Sequence, residues 1–259
     1  MLRKLTKHEF KATARYMLPL YLVLLVLTVL NRIMLNLNIY HGILSFVSGT
    51  MMFFYVVSII TVALVTLIIM VVRFYKNLVT DEGYLTFTLP VKVTQIVNSK
   101  LIISVLWTII SAILILASIL IVSHTSLADL QDIFKLGYEF IKDTFANKSI
   151  LFIIQLLIIV FLSLIHQILL VYVAVAIGQL VNGHRLIGSI VAFVIINTVT
   201  QIIAAIILLI GAYLNNGSLD DVSLIPSLIF PVIIITTLML NFALYYGTTY
   251  IFKNKLNLE

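Results

Sequence analysis

Residues 101–122 read LIISVLWTIISAILILASILIV, and this stretch decides the fold. It carries no charged side chain, and it is long enough to cross about 30 Å of hydrocarbon, which takes roughly 20 mostly apolar residues in a helix. Polar and apolar residues do not alternate in it, as they would in a strand of a membrane barrel. We therefore predict that residues 101–122 form a membrane-spanning helix.

Other stretches on both sides of this one have the same character. We predict six spans, at residues 16–35, 50–72, 101–122, 150–177, 186–214 and 224–252. The chain is 62% hydrophobic and 10% charged, whereas soluble domains carry roughly 25% charged residues. Together these features predict an all-α polytopic membrane protein with six transmembrane helices in a single domain, residues 1–259. The chain has no cysteine, which excludes disulfides and thiolate chemistry.

Lys and Arg lie mainly on one side of this six-span pattern. The side that holds both termini has twelve of the sixteen: Arg3, Lys4, Lys7, Lys11, Arg15, Arg73, Lys76, Lys92, Lys100, Arg185, Lys253 and Lys255. Cytoplasmic loops carry the excess of Lys and Arg, so we predict cytoplasmic N- and C-termini and a multi-pass protein of the cell membrane. The same distribution explains the net charge of +6, and we expect no nucleic acid among the partners.

The N-terminal segment, residues 1–15, has a basic face. Lys4, Lys7, Lys11 and Arg15 are spaced three or four residues apart, which places them on one side of a helix. We predict a cytoplasmic amphipathic helix whose basic face lies against anionic membrane lipids. A plain topology signal is an alternative that is compatible with this prediction.

A second amphipathic helix is predicted between spans 3 and 4, within residues 124–148. Its apolar residues recur at helical spacing: Leu127, Leu130, Phe134, Tyr138, Ile141 and Phe145. We expect this external helix to lie on the outer leaflet or to cap the bundle.

Catalytic motifs are missing from the printed sequence. It has no His-Glu-x-x-His, no Gly-x-Ser-x-Gly and no carboxylates at membrane depth. Gly178 and Gly183 have the spacing of a phosphate-binding loop, but the Lys and the Ser or Thr that such a loop needs are absent. We predict a tight turn there instead, and we expect that the chain is not an enzyme and binds no metal.

Several spans contain polar residues whose role the sequence leaves open. The candidates are Ser163, His166 and Gln167 in span 4, Ser104, Thr108, Ser111 and Ser118 in span 3, and Asn197, Thr200 and Gln201 in span 5. A polar group at this depth is a functional candidate. Such residues also let helices approach and bond to one another. We prefer helix packing for both stripes and a hydrogen bond to a neighbouring helix for His166; the alternative is a path for an amphipathic substrate.

The loop between spans 2 and 3, within residues 73–100, is the most distinctive polar segment. Asp81, Glu82 and Gly83 precede a short amphiphilic stretch that Pro90 closes. We predict a rigid helical elbow that exposes four apolar side chains: Tyr84, Leu85, Phe87 and Leu89. Apolar residues held out in the cytoplasm indicate a docking surface for another protein. The alternative is a loop packed on the bundle.

This loop resembles that of a known family, the membrane permeases of bacterial ATP-binding-cassette transporters of the type-2 export class. The matching positions are Asp81, Glu82, Gly83, Leu85, Leu89, Pro90 and Lys100. The resemblance extends to the six-span layout, the basic N-terminal helix and the Ile-Gly-Gln-Leu run at residues 177–180. The chain departs from the family in lacking a basic residue between the acids before Gly83 and in having a short 215–223 loop.

The resemblance implies that residues 81–90 form a coupling helix that docks a separate ATPase subunit. It also implies a second copy or a related permease as partner, ATP and magnesium held by the ATPase, and no cofactor on this chain. Export of an amphipathic peptide, lipid or drug is the expected function. The alternative is an ATP-independent docking or assembly protein that binds a cytoplasmic partner through the same loop. An ion-coupled transporter is disfavoured, because carboxylates at membrane depth and visible repeats are lacking.

Overall fold

The computed structural model describes residues 1–36, 43–80, 82–88, 90–123, 127–145, 148–181, 183–214 and 228–255. Within these ranges the regular structure is helical, and no strand occurs. The helices are α1 (Leu2–Asn36), α2 (Ile43–Val79), α3 (Glu82–Thr88), α4 (Val93–Val122), α5 (Leu127–Phe145), α6 (Ser149–Gly178), α7 (Arg185–Leu214) and α8 (Phe230–Asn254).

Six of these helices are long and apolar enough to cross a membrane: α1, α2, α4, α6, α7 and α8. Each contains one of the predicted spans or most of it, so the sequence prediction of an all-helical, multi-pass membrane protein is confirmed at this level. The prediction that both termini are cytoplasmic stays a prediction.

Helix boundaries differ from the predicted spans mainly where polar residues extend a helix beyond its apolar part. The basic segment 1–15 is continuous with the first span in α1, and α2 runs on to Val79. The last helix, α8, has Pro231 in its first turn, and the first residues of the predicted span, 224–227, lie outside the described residues. Proline is favoured at a helix start because its missing N–H has no partner there anyway.

The chain divides into two compact units. Unit 1 comprises Met1–Arg73 and Asn98–Ile133, and unit 2 comprises Phe74–Val97 and Phe134–Glu259. Unit 1 has a hydrophobic core from α1, α2 and α4, made of Met17, Tyr21, Leu24, Tyr55, Val62, Met70, Ile103, Trp107 and Val122. In unit 2, α6 packs against both α7 and α8.

The polar stripe of α4 is an interhelical hydrogen-bond network inside unit 1. Ser111 Oγ lies 2.7 Å from Tyr21 Oη of α1 and 2.9 Å from Thr66 Oγ1 of α2. Ser118 Oγ lies 3.1 Å from Tyr55 Oη of α2. Small hydroxylated residues let membrane helices come close and satisfy one another's polar groups. These contacts favour helix packing for this stripe, whose Ser104 is also buried and whose Thr108 donates to the Ser104 carbonyl.

His166 joins α6 to α8 within unit 2. Its Nδ1 lies 2.9 Å from Asn241 Oδ1, and the Asn241 amide donates to the Leu162 carbonyl at 3.1 Å. The preferred reading of His166, a hydrogen bond to a neighbouring helix, is confirmed.

The turn between α6 and α7 depends on glycine, as predicted. Gly183 has φ of +79°, a left-handed conformation that favours glycine. A Cβ on Gly178 would overlap the backbone of Ser189, with its Cα 2.6 Å away. The end of α6 and the first turns of α7 are therefore in direct backbone contact.

The external segment forms a helix, α5, as the periodicity predicts. Phe134 is 74% exposed and Tyr138 is 45% exposed, so these members of the apolar face stay uncovered. At its end, Phe145 is buried and stacks on Phe152 of α6, with ring centroids 4.1 Å apart. Exposure of these side chains favours the outer-leaflet position over the capping one.

Candidate functional site

A separate short helix, α3, lies between α2 and α4, where the sequence predicts an elbow; we call it the elbow helix. The Gly83 N–H donates to the Thr80 carbonyl at 2.7 Å, which closes the turn after α2. Glu82 occupies the first turn, where the helix dipole favours a negative charge. Pro90 follows the helix, and proline cannot continue the hydrogen-bond ladder.

The elbow helix has one exposed side and one packed side. Tyr84 is 55% exposed and Leu85 is 74% exposed, as predicted for a docking surface. Gly83 is buried, and Phe87 is only half-buried, so the prediction that Phe87 projects freely is wrong. Glu82 and Pro90 are exposed. The predicted docking residues Asp81 and Leu89 lie outside the described residues.

Phe87 turns inward because an aromatic cluster supports the elbow helix. Its ring lies near that of Phe252 of α8, with centroids 6.3 Å apart and planes inclined by 26°. Phe252 meets Phe74 of α2 edge-on at 5.8 Å, and Phe74 stacks on Tyr172 of α6 at 3.7 Å. We call Phe74, Tyr172 and Phe252 the aromatic platform; all three are almost fully buried. An edge-to-face pair such as Phe74 and Phe252 adds about 1 kcal/mol beyond the area it buries.

Arg185 ties the start of α7 to the end of α2. Its Nη1 donates to the Val79 carbonyl at 3.1 Å. The last carbonyls of a helix lack intrahelical partners and carry partial negative charge. A guanidinium there supplies both a hydrogen-bond donor and a compensating positive charge. Sequence reasoning counted Arg185 only as a topology signal and did not predict this contact. Arg185 and Tyr172 therefore attach the end of α2 to α7 and α6, and Phe87 attaches the elbow helix to α8.

Unit 1 contains a charge cluster that sequence reasoning missed, formed by Glu9, Arg73 and Lys100. Glu9 Oε1 accepts from Lys100 Nζ at 2.8 Å, and Glu9 Oε2 accepts from Arg73 Nη2 at 3.0 Å. Arg73 Nε also donates to Oε2, at 3.3 Å. The Lys100 side chain is 5% exposed and that of Glu9 is 16% exposed. From the sequence, Lys100 is a basic residue of the side that holds both termini and a position that matches the family; its pairing with Glu9 is not predicted.

The cluster changes the titration of Glu9, which precedes the apolar segment 16–35. Burial by itself raises the pKa of this carboxyl, but the nearby Lys100 and Arg73 cations outweigh burial. The net effect is a Glu9 pKa below the ordinary glutamate value. The carboxylate is thus held ionised as the counter-ion of two basic side chains.

Other residues of α1 near Glu9 also pack against α4, while the basic side chains of this helix stay exposed. Trp107 of α4 donates its indole N–H to Thr13 Oγ1 at 2.7 Å, and Phe10 stacks on the same indole at 5.1 Å. The residues predicted as the basic face, Lys4, Lys7, Lys11 and Arg15, are all exposed. A signal was available in the sequence: Glu9 lies on the side of the helix opposite the basic face.

The remaining polar candidates have no interhelical hydrogen bonds within the described ranges. Ser163 and Gln167 on α6 are exposed, and Ser163 bonds only to its own helix at the Val160 carbonyl. On α7, Thr200 bonds to the Asn197 carbonyl of the same helix, and Gln201 is exposed.

Metal and family comparisons add little to this picture. Among the described residues no group of three or more His, Cys, Asp or Glu could hold a metal ion. No family model, curated protein or solved structure matches the chain.

Proposed function

We propose that this chain is the membrane subunit of an ATP-binding-cassette transporter of the type-2 export class, driven by a separate ATPase that docks on the elbow helix. One observation carries the proposal: α3 exposes Tyr84 and Leu85 while Phe87, on its other side, lies near Phe252 of the aromatic platform. A loop that only connects two spans needs neither feature. A docking surface needs both features, because the partner requires apolar contacts and a rigid support through which its movement is transmitted.

The contacts around the elbow helix suggest how movement of the docked ATPase would be transmitted. The platform residues come from α2, α6 and α8, and Arg185 of α7 holds the last turn of α2. In the proposal, movement of the docked ATPase on binding ATP displaces α3 together with the helix ends that hold it. Access to the substrate path would alternate in this way.

In the proposal, exposed polar residues of α6 and α7 line the substrate path or form a seam with a second permease. Gln167 of α6 and Gln201 of α7 are exposed, with no hydrogen bond within the described residues. An exposed amide at bilayer depth is unfavourable in lipid but suits an amphipathic substrate or a second copy of the chain. We propose export as the direction of transport because the sequence resembles permeases of the type-2 export class.

The experiment is co-purification with an ATPase encoded beside this gene that contains Gly-x-x-x-x-Gly-Lys-Ser/Thr. We expect Leu85→Asp, and to a smaller degree Glu82→Lys, to weaken the association, because a charge would face the apolar centre of the interface. Loss of one central contact of about 2 kcal/mol corresponds to roughly 30-fold weaker binding.

The matched control is Leu136→Asp on α5, the same substitution at a leucine that is 65% exposed. Membrane insertion and helix content should be unchanged in both variants, and only Leu85→Asp should lose the ATPase. Equal ATPase binding by the wild type, Leu85→Asp and Leu136→Asp would overturn the proposed docking role. Binding of a partner without nucleotide-hydrolysis motifs, sensitive to Leu85→Asp, would favour the docking or assembly alternative instead.

A further inference from the structure

A cavity of about 290 Å³ lies in unit 1 on the side of α1 away from the hydrophobic core. Its lining residues are His8, Lys11, Ala12, Arg15, Tyr16 and Arg73, and we call it the basic cavity. Five of them lie on α1 at spacings of one, three and four residues, which places them on one helical face; Arg73 comes from α2. The volume corresponds to roughly ten water molecules, so it admits a phosphate with its esterified glycerol.

The cavity has a strong excess of positive charge. Lys11, Arg15 and Arg73 line it, and no acidic side chain does. Within the described parts of the chain, Lys11 and Arg15 form no ion pair with a carboxylate. Arg73 keeps its bonds to Glu9, which fix the guanidinium beside the cavity, and Lys100 shares the negative charge of Glu9. An anion is the ligand that this arrangement favours.

The position of the cavity along α1 points to the membrane as the source of that anion. Tyr16 is the first residue of the apolar segment 16–35, and the basic residues precede it. Tyrosine is enriched at the level of lipid headgroups, and basic pockets between membrane helices bind anionic headgroups. The cavity is thus placed where the phosphate of a lipid would lie.

We propose that the basic cavity is a specific site for the phosphate of an anionic phospholipid headgroup, contacted by Lys11, Arg15 and Arg73. The site differs from general attraction of a basic helix to a membrane. General attraction would count Lys4 and Lys7 equally with Lys11 and Arg15, whereas only the latter two line the cavity. The inference does not depend on the proposed transport function.

The test uses the full-length chain in neutral detergent micelles, which have no surface potential of their own. Phosphatidylglycerol or phosphatidylcholine is titrated in, and bound lipid is counted by native mass spectrometry. K11Q/R15Q is compared with K4Q/K7Q, which has the same change of charge on the same helix. We expect phosphatidylglycerol binding to weaken about 30-fold in K11Q/R15Q and by less than about threefold in K4Q/K7Q. Phosphatidylcholine binding should be weak in all proteins.

Inorganic phosphate in large excess distinguishes the two sources of the anion. A lipid site should keep its phosphatidylglycerol, because the acyl chains add to the affinity. Displacement by inorganic phosphate would assign the cavity to a soluble anion and overturn the lipid proposal. Equal loss in the two double variants, or no loss in either, would also overturn it.

Folding of each variant is checked by the emission of Trp107, the single tryptophan, which packs against α1. Should K11Q/R15Q fail to fold, the single variants K11Q and R15Q take its place against K4Q and K7Q. The same pattern, with about fivefold loss for each cavity residue and none for the others, is then expected.

Discussion

The polar faces of α4 and α7 look alike in sequence but differ in what they contact. On α4, Ser111 and Ser118 meet hydroxyl groups of α1 and α2 and are buried. On α7, Thr200 bonds to the Asn197 carbonyl of its own helix and Gln201 is exposed. A polar stripe in a membrane helix thus has two possible roles, and its neighbours decide which. The α4 stripe serves the internal stability of unit 1, whereas the α7 stripe forms no hydrogen bond to another helix within the described residues.

The largest expected effect lies in unit 1, at the charge cluster. Glu9→Ala removes the carboxylate shared by Arg73 and Lys100, and Lys100 is only 5% exposed. The substitution removes a counter-ion of the buried Lys100 ammonium, and loss of one partner of a buried ion pair costs about 3 kcal/mol. We expect a loss of this size in the free energy of unfolding in detergent micelles, followed by Trp107 emission.

Glu139→Ala is the control, because Glu139 is exposed on α5 and forms no ion pair within the described residues. It should change the free energy of unfolding by no more than about 0.5 kcal/mol. A pH series sharpens the result. Since the Glu9 pKa is lowered in the folded chain, its contribution is present above the unfolded glutamate pKa and is lost as pH falls through the folded value. The wild-type advantage over Glu9→Ala should therefore shrink only in acid.

Unit 2 is sensitive to a different kind of change, because α6 and α7 meet through backbone contact. Gly178→Ala forces a Cβ into the backbone of Ser189, which cannot move as a flexible side-chain end would. We expect a loss of about 2 kcal/mol, typical of overpacking, measured by thermal unfolding with circular dichroism.

Gly137→Ala on α5 is its counterpart, because a Cβ there meets nothing within 4 Å. Alanine is the better helix former by about 1 kcal/mol, so this variant should be equal to or more stable than the wild type. Similar losses in both variants would show that close approach at Gly178 is not what holds the two helices.

Much of the fold could be predicted from the sequence, because crossing a membrane imposes long apolar segments that are visible without any tertiary information. A short helix before Pro90 was also predictable, although it begins at Glu82 and so includes Gly83, which the sequence suggested as a turn residue. The charge cluster was not, although Glu9 stood out among basic neighbours. Its partners Arg73 and Lys100 are far away in the chain, and their approach depends on how α1 packs against α2 and α4.

The partial burial of Phe87 could not be predicted from the sequence for the same reason. A short amphiphilic segment indicates that one side will be packed, but the partner Phe252 is a residue of the last helix. Hydropathy alone therefore assigned all the apolar side chains of the elbow to the exposed side. The exposed pair Tyr84 and Leu85 is what remains of that prediction within the described residues.

The smallest expected effect compares the two polar stripes directly. Ser111→Ala removes the hydroxyl that contacts Tyr21 and Thr66, and interhelical hydrogen bonds in membranes contribute about 1 kcal/mol. Gln201→Leu removes an exposed amide that has no hydrogen-bond partner within the described residues, so it should cost nothing in the stability of the isolated chain. Both are measured as free energies of unfolding in detergent micelles.

In a functional assay we expect the reverse order: Gln201→Leu should have the larger effect and Ser111→Ala the smaller one. If the α7 stripe faces a substrate or a second copy, Gln201→Leu should alter substrate-stimulated ATP hydrolysis or dimer formation while Ser111→Ala leaves both unchanged. A Gln201→Leu protein that is destabilised by about 1 kcal/mol would instead place a partner for Gln201 inside the chain. In that case the stripes of α4 and α7 would have the same packing role, and the path would have to be sought elsewhere, beginning with Gln167.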